Sequence, residues 1–252
     1  RVQVTQDVLP ADITGHFFFN RKISEFEFRQ GPIFSNVILA DEINRASAKT
    51  QSALLEAMQE GQVTVEGRTY KLPQPFFVIA TQNPIDVEGV YTLPVAQLDR
   101  FMLKTNVSYL PRSGERQVLE RALEDQLIQD PKPAADTHTA QALRDAHKRV
   151  HVDQSLLDYV LDLVEATRGH EDLQLGASTR ASLHLLHASQ ARALLDDRDY
   201  VIPDDVKRVA PDVLAHRLAV TVDAELEERQ PVDIVAQLLD DVTVPQVPRE
   251  AR

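Results

Sequence analysis

The 252-residue sequence contains no cysteine, and only eight glycines. Without cysteine there can be no disulfide framework, no thiolate metal site and no cysteine nucleophile, and the lack is compatible with a reducing cytoplasm. Glycine stands at about 3% against a usual value of about 7%, which excludes collagen-like and glycine-rich linker chains. Basic charge is also short, with 27 Lys and Arg against 39 Asp and Glu for a net charge of −12. The parts before and after Asp130 are both net acidic, and no basic stripe of the kind that reads a phosphate backbone is visible, so no nucleic-acid partner is expected. The longest apolar runs, Val37 to Ala40 and Phe76 to Ala80, fall far short of the roughly 18–20 residues that span a bilayer. No signal peptide is visible, so no membrane partner is expected and a cytoplasmic location is. The chain opens at Arg1 rather than a methionine, directly with strand-like alternation, and a segment upstream is expected.

Apolar residues make up 43% and charged residues 26%, an ordinary globular balance, and the length suggests two domains. Val37 to Ala40 reads as a strand buried on both faces, Phe76 to Ala80 as a second, and Phe101 to Val107 as a third. Between the first two lies a helix over about Ala48 to Glu60, with Ser47 as N-cap and Gly61 closing it. Residues 62–72 alternate around Glu66-Gly67 and predict a β-hairpin. Strand, helix and strand in succession imply a parallel sheet flanked by helices. After Pro111 the character changes. Asp130-Pro131-Lys132-Pro133 is a break, and helices are predicted over Asp153 to Arg168, Thr179 to Leu195 and Pro203 to about His216. The expected organisation is an α/β domain over residues 1–110, an all-α domain over 111–245 and a loose tail over 246–252.

The sharpest chemical feature is Asp41-Glu42, two carboxylates at the end of an apolar strand. In open parallel sheets ligands bind beyond the carboxyl ends of the strands. Phosphoryl transfer needs a carboxylate to hold Mg²⁺ through its waters and a group to orient the attacking water. Asp41 suits the first task and Glu42 the second, although a strand end followed by an acidic helix cap would look the same. The next apolar strand ends in Ala80-Thr81-Gln82-Asn83-Pro84. Asn83 would lie beside the carboxylates, where an amide can position water or touch a terminal phosphate; an Asn-Pro turn needs no such function. Leu98-Asp99-Arg100-Phe101 supplies an arginine able to stabilise transition-state charge, often from a neighbouring subunit, and equally able to make a surface ion pair. Arg180 sits in the first turn of a helix, where a cation opposes the dipole, and an anionic ligand would account for it.

Asp41 to Arg45, Lys49 to Glu60, Ala80 to Pro84, Leu98 to Phe101, Gly176 to Ala181 and Arg198 to Val201 together resemble the MoxR family of AAA+ ATPases. The resemblance implies an AAA+ core with a helical lid, ATP and Mg²⁺ as cofactors, and assembly into a ring, as a hexamer, with nucleotide at the subunit interfaces. It would make Asp41 and Glu42 the Walker B pair, with Asp41 on the metal, and Asn83 sensor 1. Arg100 would be the arginine finger and Arg180 sensor 2. It also implies chaperone-like remodelling of clients with von Willebrand factor A domains, an inserted segment over 13–34 and a pre-sensor-1 hairpin over 62–72. Pro94-Val95-Ala96-Gln97 departs from the family's Pro-Glu-Ala-Gln. A larger departure is the phosphate loop, because none of the eight glycines is followed by lysine. The loop is expected upstream of Val2, and the chain without it is expected to be inactive.

Other readings stay open. The chain could be a non-hydrolysing protein-binding module, or a helicase or chelatase subunit of the same clade. Phe17-Phe18-Phe19 could touch a partner or pack the insertion onto its own body. His184 and His187, three apart on one helix, have no third ligand and read as helix packing or surface. Asp196-Asp197 and Asp204-Asp205 read as loop and helix-cap residues.

Overall fold

The computed structural model of the chain describes residues 1–83, 91, 93–124 and 132–245. Asp130 and Pro131 of the expected break, and the tail over 246–252, lie outside them.

The first part begins with β1 (Val2–Gln3) and α1 (Pro10–Thr14), followed by a hairpin of β2 (Gly15–Asn20) and β3 (Glu25–Gln30). Next come β4 (Val37–Asp41), α2 (Ala48–Glu60), a second hairpin of β5 (Gln62–Val65) and β6 (Arg68–Lys71), then β7 (Phe77–Ala80) and α3 (Val95–Leu98). Strands β1, β4 and β7 form a parallel sheet in that order, with Ala40 aligned to Val2 on one side and Ala80 on the other. Helix α2 starts where its sequence dictates. The Ser47 hydroxyl accepts from the Thr50 amide at 3.3 Å. It stops where Gly61 takes the left-handed conformation (φ 63°), which a side chain would strain. Leu54, Leu55 and Ala57 are its buried stripe.

Two strand expectations need correction. Strand β4 is buried on one face rather than two, with Ile38 and Ala40 inside but Val37 58% exposed, and Phe77 of β7 is 60% exposed. One face is covered by Ile13, Ile33, Leu54 and Ala57, while the other stays partly open among the described residues. The segment Phe101 to Val107 is no strand. Its recorded main-chain bond runs from the Lys104 amide to the Asp212 carbonyl rather than to a sheet edge, and Val107 is almost fully exposed. An apolar run forms a strand only where a neighbouring ladder satisfies its amides.

The two hairpins pack on each other through aromatic rings. Phe28 stacks on Tyr70 with centroids 4.3 Å apart, Phe17 lies 5.3 Å from Phe28, and the Arg68 guanidinium sits over the Phe17 ring. Phe17 therefore packs the insertion onto its own body, whereas Phe18, Phe19 and Phe26 stay exposed.

The second part is helical: α4 (Arg112–Leu123), α5 (Thr137–Ala146), α6 (Gln154–Gly169), the short β8 (Leu173–Leu175), α7 (Thr179–Leu195), α8 (Pro203–Leu214), β9 (Ala219–Val220), α9 (Val222–Leu226) and α10 (Pro231–Asp241). Asp153 caps α6 by accepting from the Ser155 amide at 2.9 Å. Leu156, Tyr159, Leu163, Leu185, Val206, Leu214 and Val235 form a separate apolar core. Among the described residues no helix is long and apolar enough to cross a membrane.

One ion pair locks the start of α8. Asp205, 3% exposed, accepts both terminal nitrogens of Arg198, at 2.7 and 2.5 Å, and also the Ile202 amide at 2.9 Å. Asp205 is thus helix cap and counter-ion together, and it raises the affinity of Arg198 for its proton. Asp205→Ala should destabilise the helical part by about 1–3 kcal/mol, since it strands a cap amide and leaves Arg198 with only the Tyr200 carbonyl and the more exposed Asp196. Urea unfolding checks this, and a loss below about 1 kcal/mol would show that the pair is well hydrated.

Candidate functional site

The end of β4 is organised by one hydroxyl. The Thr81 hydroxyl accepts from the Glu42 amide and donates to Asp41 Oδ1, both at 2.9 Å. The Thr81 amide donates to Ala40, and its carbonyl accepts from Ile43. Residues 41–43 are thereby stitched to the strand beside them. Glu42 takes a left-handed conformation (φ 58°, ψ 50°), uncommon for a residue with a side chain, and this turn ends β4 immediately after Asp41. The bond from Thr81 is the main reason the Asp41 carboxyl stays below its ordinary range, and the Arg1 guanidinium, with Nε 2.6 Å from Oδ2, adds to it. Glu42 pairs with Arg45 at 2.8 Å. Asp41 is therefore a firmly ionised oxygen donor beside a second carboxylate, a donor set that fits a hard cation such as Mg²⁺.

Asn83 follows on the same edge of the sheet. Its carbonyl accepts from the buried Asn44 side chain at 3.2 Å, and the Asn44 carbonyl accepts from the Tyr91 amide at 2.7 Å. Buried Gln51 reaches the carbonyls of Ile43 and Tyr91. Asn83 thus has a fixed position close to the carboxylate turn, while Pro84 lies outside the described residues.

Arg180 belongs to a second group, centred on Asp99, the residue that precedes Arg100. This carboxylate accepts from Ser178 Oγ at 2.9 and 3.0 Å, from Arg180 Nη1 at 3.0 Å and from Arg217 Nε at 3.0 Å. Arg217 is 2% exposed. Its remaining donors reach the carbonyls of Asp99, Phe101, Met102 and Val213, and Nδ1 of His184. The cation at the start of α7 therefore has a carboxylate from the first part of the chain as its counter-ion. Gly176 lets the chain entering α7 pass close against the end of α6, because a Cβ there would meet the Arg168 backbone at 2.7 Å. The Thr167 hydroxyl and Arg168 Nε hold the amide and carbonyl of Ala177, which fixes the entry to α7. Arg100, next to Asp99, is half-buried and has no side-chain partner among the described residues.

The sequence pointed to Asp41, Glu42, Asn83, Arg100 and Arg180 as candidates and gave no prominence to Thr81, Asp99 and Arg217, which hold the two groups together. Thr81 and Asp99 lie inside recognised motifs and carried a usable signal. Arg217 carried none, since nothing in Ala215-His216-Arg217 marks a buried cation.

Two histidines complete the junction. Burial, and then the charge of Arg217, push both His184 and His216 down to about 4. Neutral His184 accepts at Nδ1 from Arg217, which has only donors, and neutral His216 donates from Nε2 to the Phe101 carbonyl at 3.2 Å. Their folded values lie below the unfolded value of about 6.5, so the unfolded chain takes up protons that the folded chain refuses. The stability they contribute is complete above pH 6.5 and is lost as pH falls towards about 4, by up to about 1.4 kcal/mol per pH unit for each histidine. Urea unfolding measured from pH 7 to pH 4.5 should show this slope, and His184→Gln should remove one histidine's share of it. An unchanged slope in that variant would refute the assignment.

Comparison with known proteins identifies the family. The family of ATPases associated with various cellular activities (AAA) matches residues 1–103, and the AAA lid domain matches residues 165–238. The chain is 47% identical over 245 residues to the uncharacterized protein YeaC of Bacillus subtilis, covering 97% of this chain and 77% of that one. It is 45% identical over 260 residues to the chaperone MoxR1 of Mycobacterium tuberculosis, covering 98% of this chain and 67% of that one. The crystal structure of a candidate ATPase from Cytophaga hutchinsonii is 40% identical and superimposes with a TM-score of 0.89, over 97% of this chain and 77% of that one. The fold is therefore an AAA domain with its lid, and the chain belongs to the MoxR family of AAA+ ATPases.

Proposed function

We propose that the complete protein hydrolyses ATP and uses the cycle to remodel client proteins, those with von Willebrand factor A domains in particular. The observation that supports this most strongly is the Thr81 clamp, which fixes an ionised Asp41 and a strained Glu42 side by side at the end of a parallel strand. Asp41 would hold Mg²⁺, and the ATP-bound ion supplies charge neutralisation at the terminal phosphates. Glu42 orients the attacking water and accepts its proton. Asn83, on the same sheet edge, positions that water or the terminal phosphate. Arg180 reaches the nucleotide from the lid, and Arg100, free of a counter-ion among the described residues, completes the site of a neighbouring subunit in a hexameric cytoplasmic ring.

These 252 residues contain no Gly-x-x-x-x-Gly-Lys-Ser/Thr, so the chain by itself should bind ATP poorly. The relatives named above are longer, and activity is to be measured on the complete open reading frame. There, Glu42→Gln should retain ATP binding and lose turnover about 100-fold or more, as expected for removal of a general base. Turnover near the wild-type rate would overturn the role of Glu42. Arg100→Ala should cost about a thousandfold in turnover at protein concentrations that support assembly. A variant that matches wild type at every protein concentration would show that Arg100 serves no neighbouring site.

A further inference from the structure

The grip on Asp99 is unequal. Arg217 has 1% of its side chain exposed and makes five further contacts to carbonyls and His184, so it cannot leave without stranding a buried charge. Arg180 has 40% of its side chain exposed and makes its recorded contact to Asp99 alone, at 3.0 Å. Of the two cations on this carboxylate, one is structural and the other can be displaced. If Arg180 left, Asp99 would still be satisfied by Arg217 and Ser178.

We propose that Asp99 is a positioning residue that holds Arg180 in reserve until nucleotide phosphate competes for it, so that ATP binding opens the Asp99–Arg180 contact between core and lid. This rests on the reading of Arg180 as a nucleotide-contacting arginine. Asp99 touches one arginine of the proposed site and directly precedes the other in the chain. Arg180 serves the subunit's own nucleotide, and Arg100, the next residue in the chain, serves the neighbour's. The carboxylate cannot move far, because Arg217 ties Asp99 Oδ1, the Asp99 carbonyl and the Phe101 carbonyl to one guanidinium. Release of Arg180 therefore changes the charge balance beside Arg100 without loosening its backbone. The occupied site would be reported to the neighbouring subunit as an electrostatic change at Asp99. No large movement of the segment is needed.

The test is a two-by-two set in the complete protein, with ATP affinity read by fluorescence titration and folding checked by circular dichroism. Asp99→Asn removes the competitor for Arg180 and should tighten ATP binding about two- to fivefold, the span expected for a half-exposed ion pair. In an Arg180→Ala background the same substitution should change nothing. A merely structural role for Asp99 would give weaker binding, and the loss would persist without Arg180. If Asp99→Asn does not fold, Asp99→Asn combined with Arg217→Gln removes both buried charges and carries the same expectation. Unchanged or weakened affinity in either Asp99→Asn variant with Arg180 present, or an equal gain without Arg180, overturns the proposal. Arg180→Ala that binds ATP as wild type does would overturn the reading of Arg180 and the proposal with it. Weakened binding by Arg180→Ala with no gain from Asp99→Asn would overturn the proposal and leave that reading intact.

Discussion

Burying the guanidinium of Arg217 is the constraint around which the two parts of the chain are arranged. A cation this far from water is tolerable only if its donors find acceptors. Here the acceptors come from both sides of the junction. Asp99, Phe101 and Met102 belong to the segment leaving the α/β part, while Val213 and His184 belong to the helical part. Separating the two would leave a bare charge on one side and an under-satisfied carboxylate on the other. The lid is therefore attached by a specific, directional set of bonds, where a purely apolar contact would permit sliding. The same set explains why His184 and His216 must stay neutral, since a proton on either would add a second positive charge beside the first.

Much of this was legible in the residues themselves. Ser47 and Gly61 bound α2 because a cap hydroxyl and a left-handed glycine are local requirements, met within a few residues. The hairpin around Glu66-Gly67 and the helices over 154–169 and 179–195 are local in the same sense. The turn at the carboxylate pair was legible as a strand end, because four apolar residues followed by Asp-Glu stop a buried strand whatever the acids then do. Phe101 to Val107 misled for the opposite reason. Its apolar start would suit a ladder, but whether a ladder exists depends on a distant partner, and the Lys104 amide bonds to Asp212 in α8 instead.

The site divides along the same line. Thr81 and Asp99 lie in motifs that the sequence advertises, but what they bond to is decided by sheet register and by lid docking. Thr81 meets Asp41 because β7 pairs with β4 residue for residue, from Val37 and Phe77 to Ala40 and Ala80. Arg217 is more than a hundred residues from Asp99, and no spacing rule links them. The first turn of α7 shows how a local rule can point correctly and yet incompletely. A cation at a helix N-terminus did require an anion, and a carboxylate of the same chain is one.

The aromatic stack between the hairpins has a mechanical meaning. With Phe28 lying flat on Tyr70, neither hairpin can tilt alone without opening that face-to-face contact. The two hairpins are thereby joined face to face, and the far end of the first carries the exposed rings of Phe19 and Phe26. The second ends in β6, which runs through a short connection into β7 and so to Thr81. The strand that carries Tyr70 is thus also the one whose chain leads on, through β7, to the hydroxyl that sets the carboxylates.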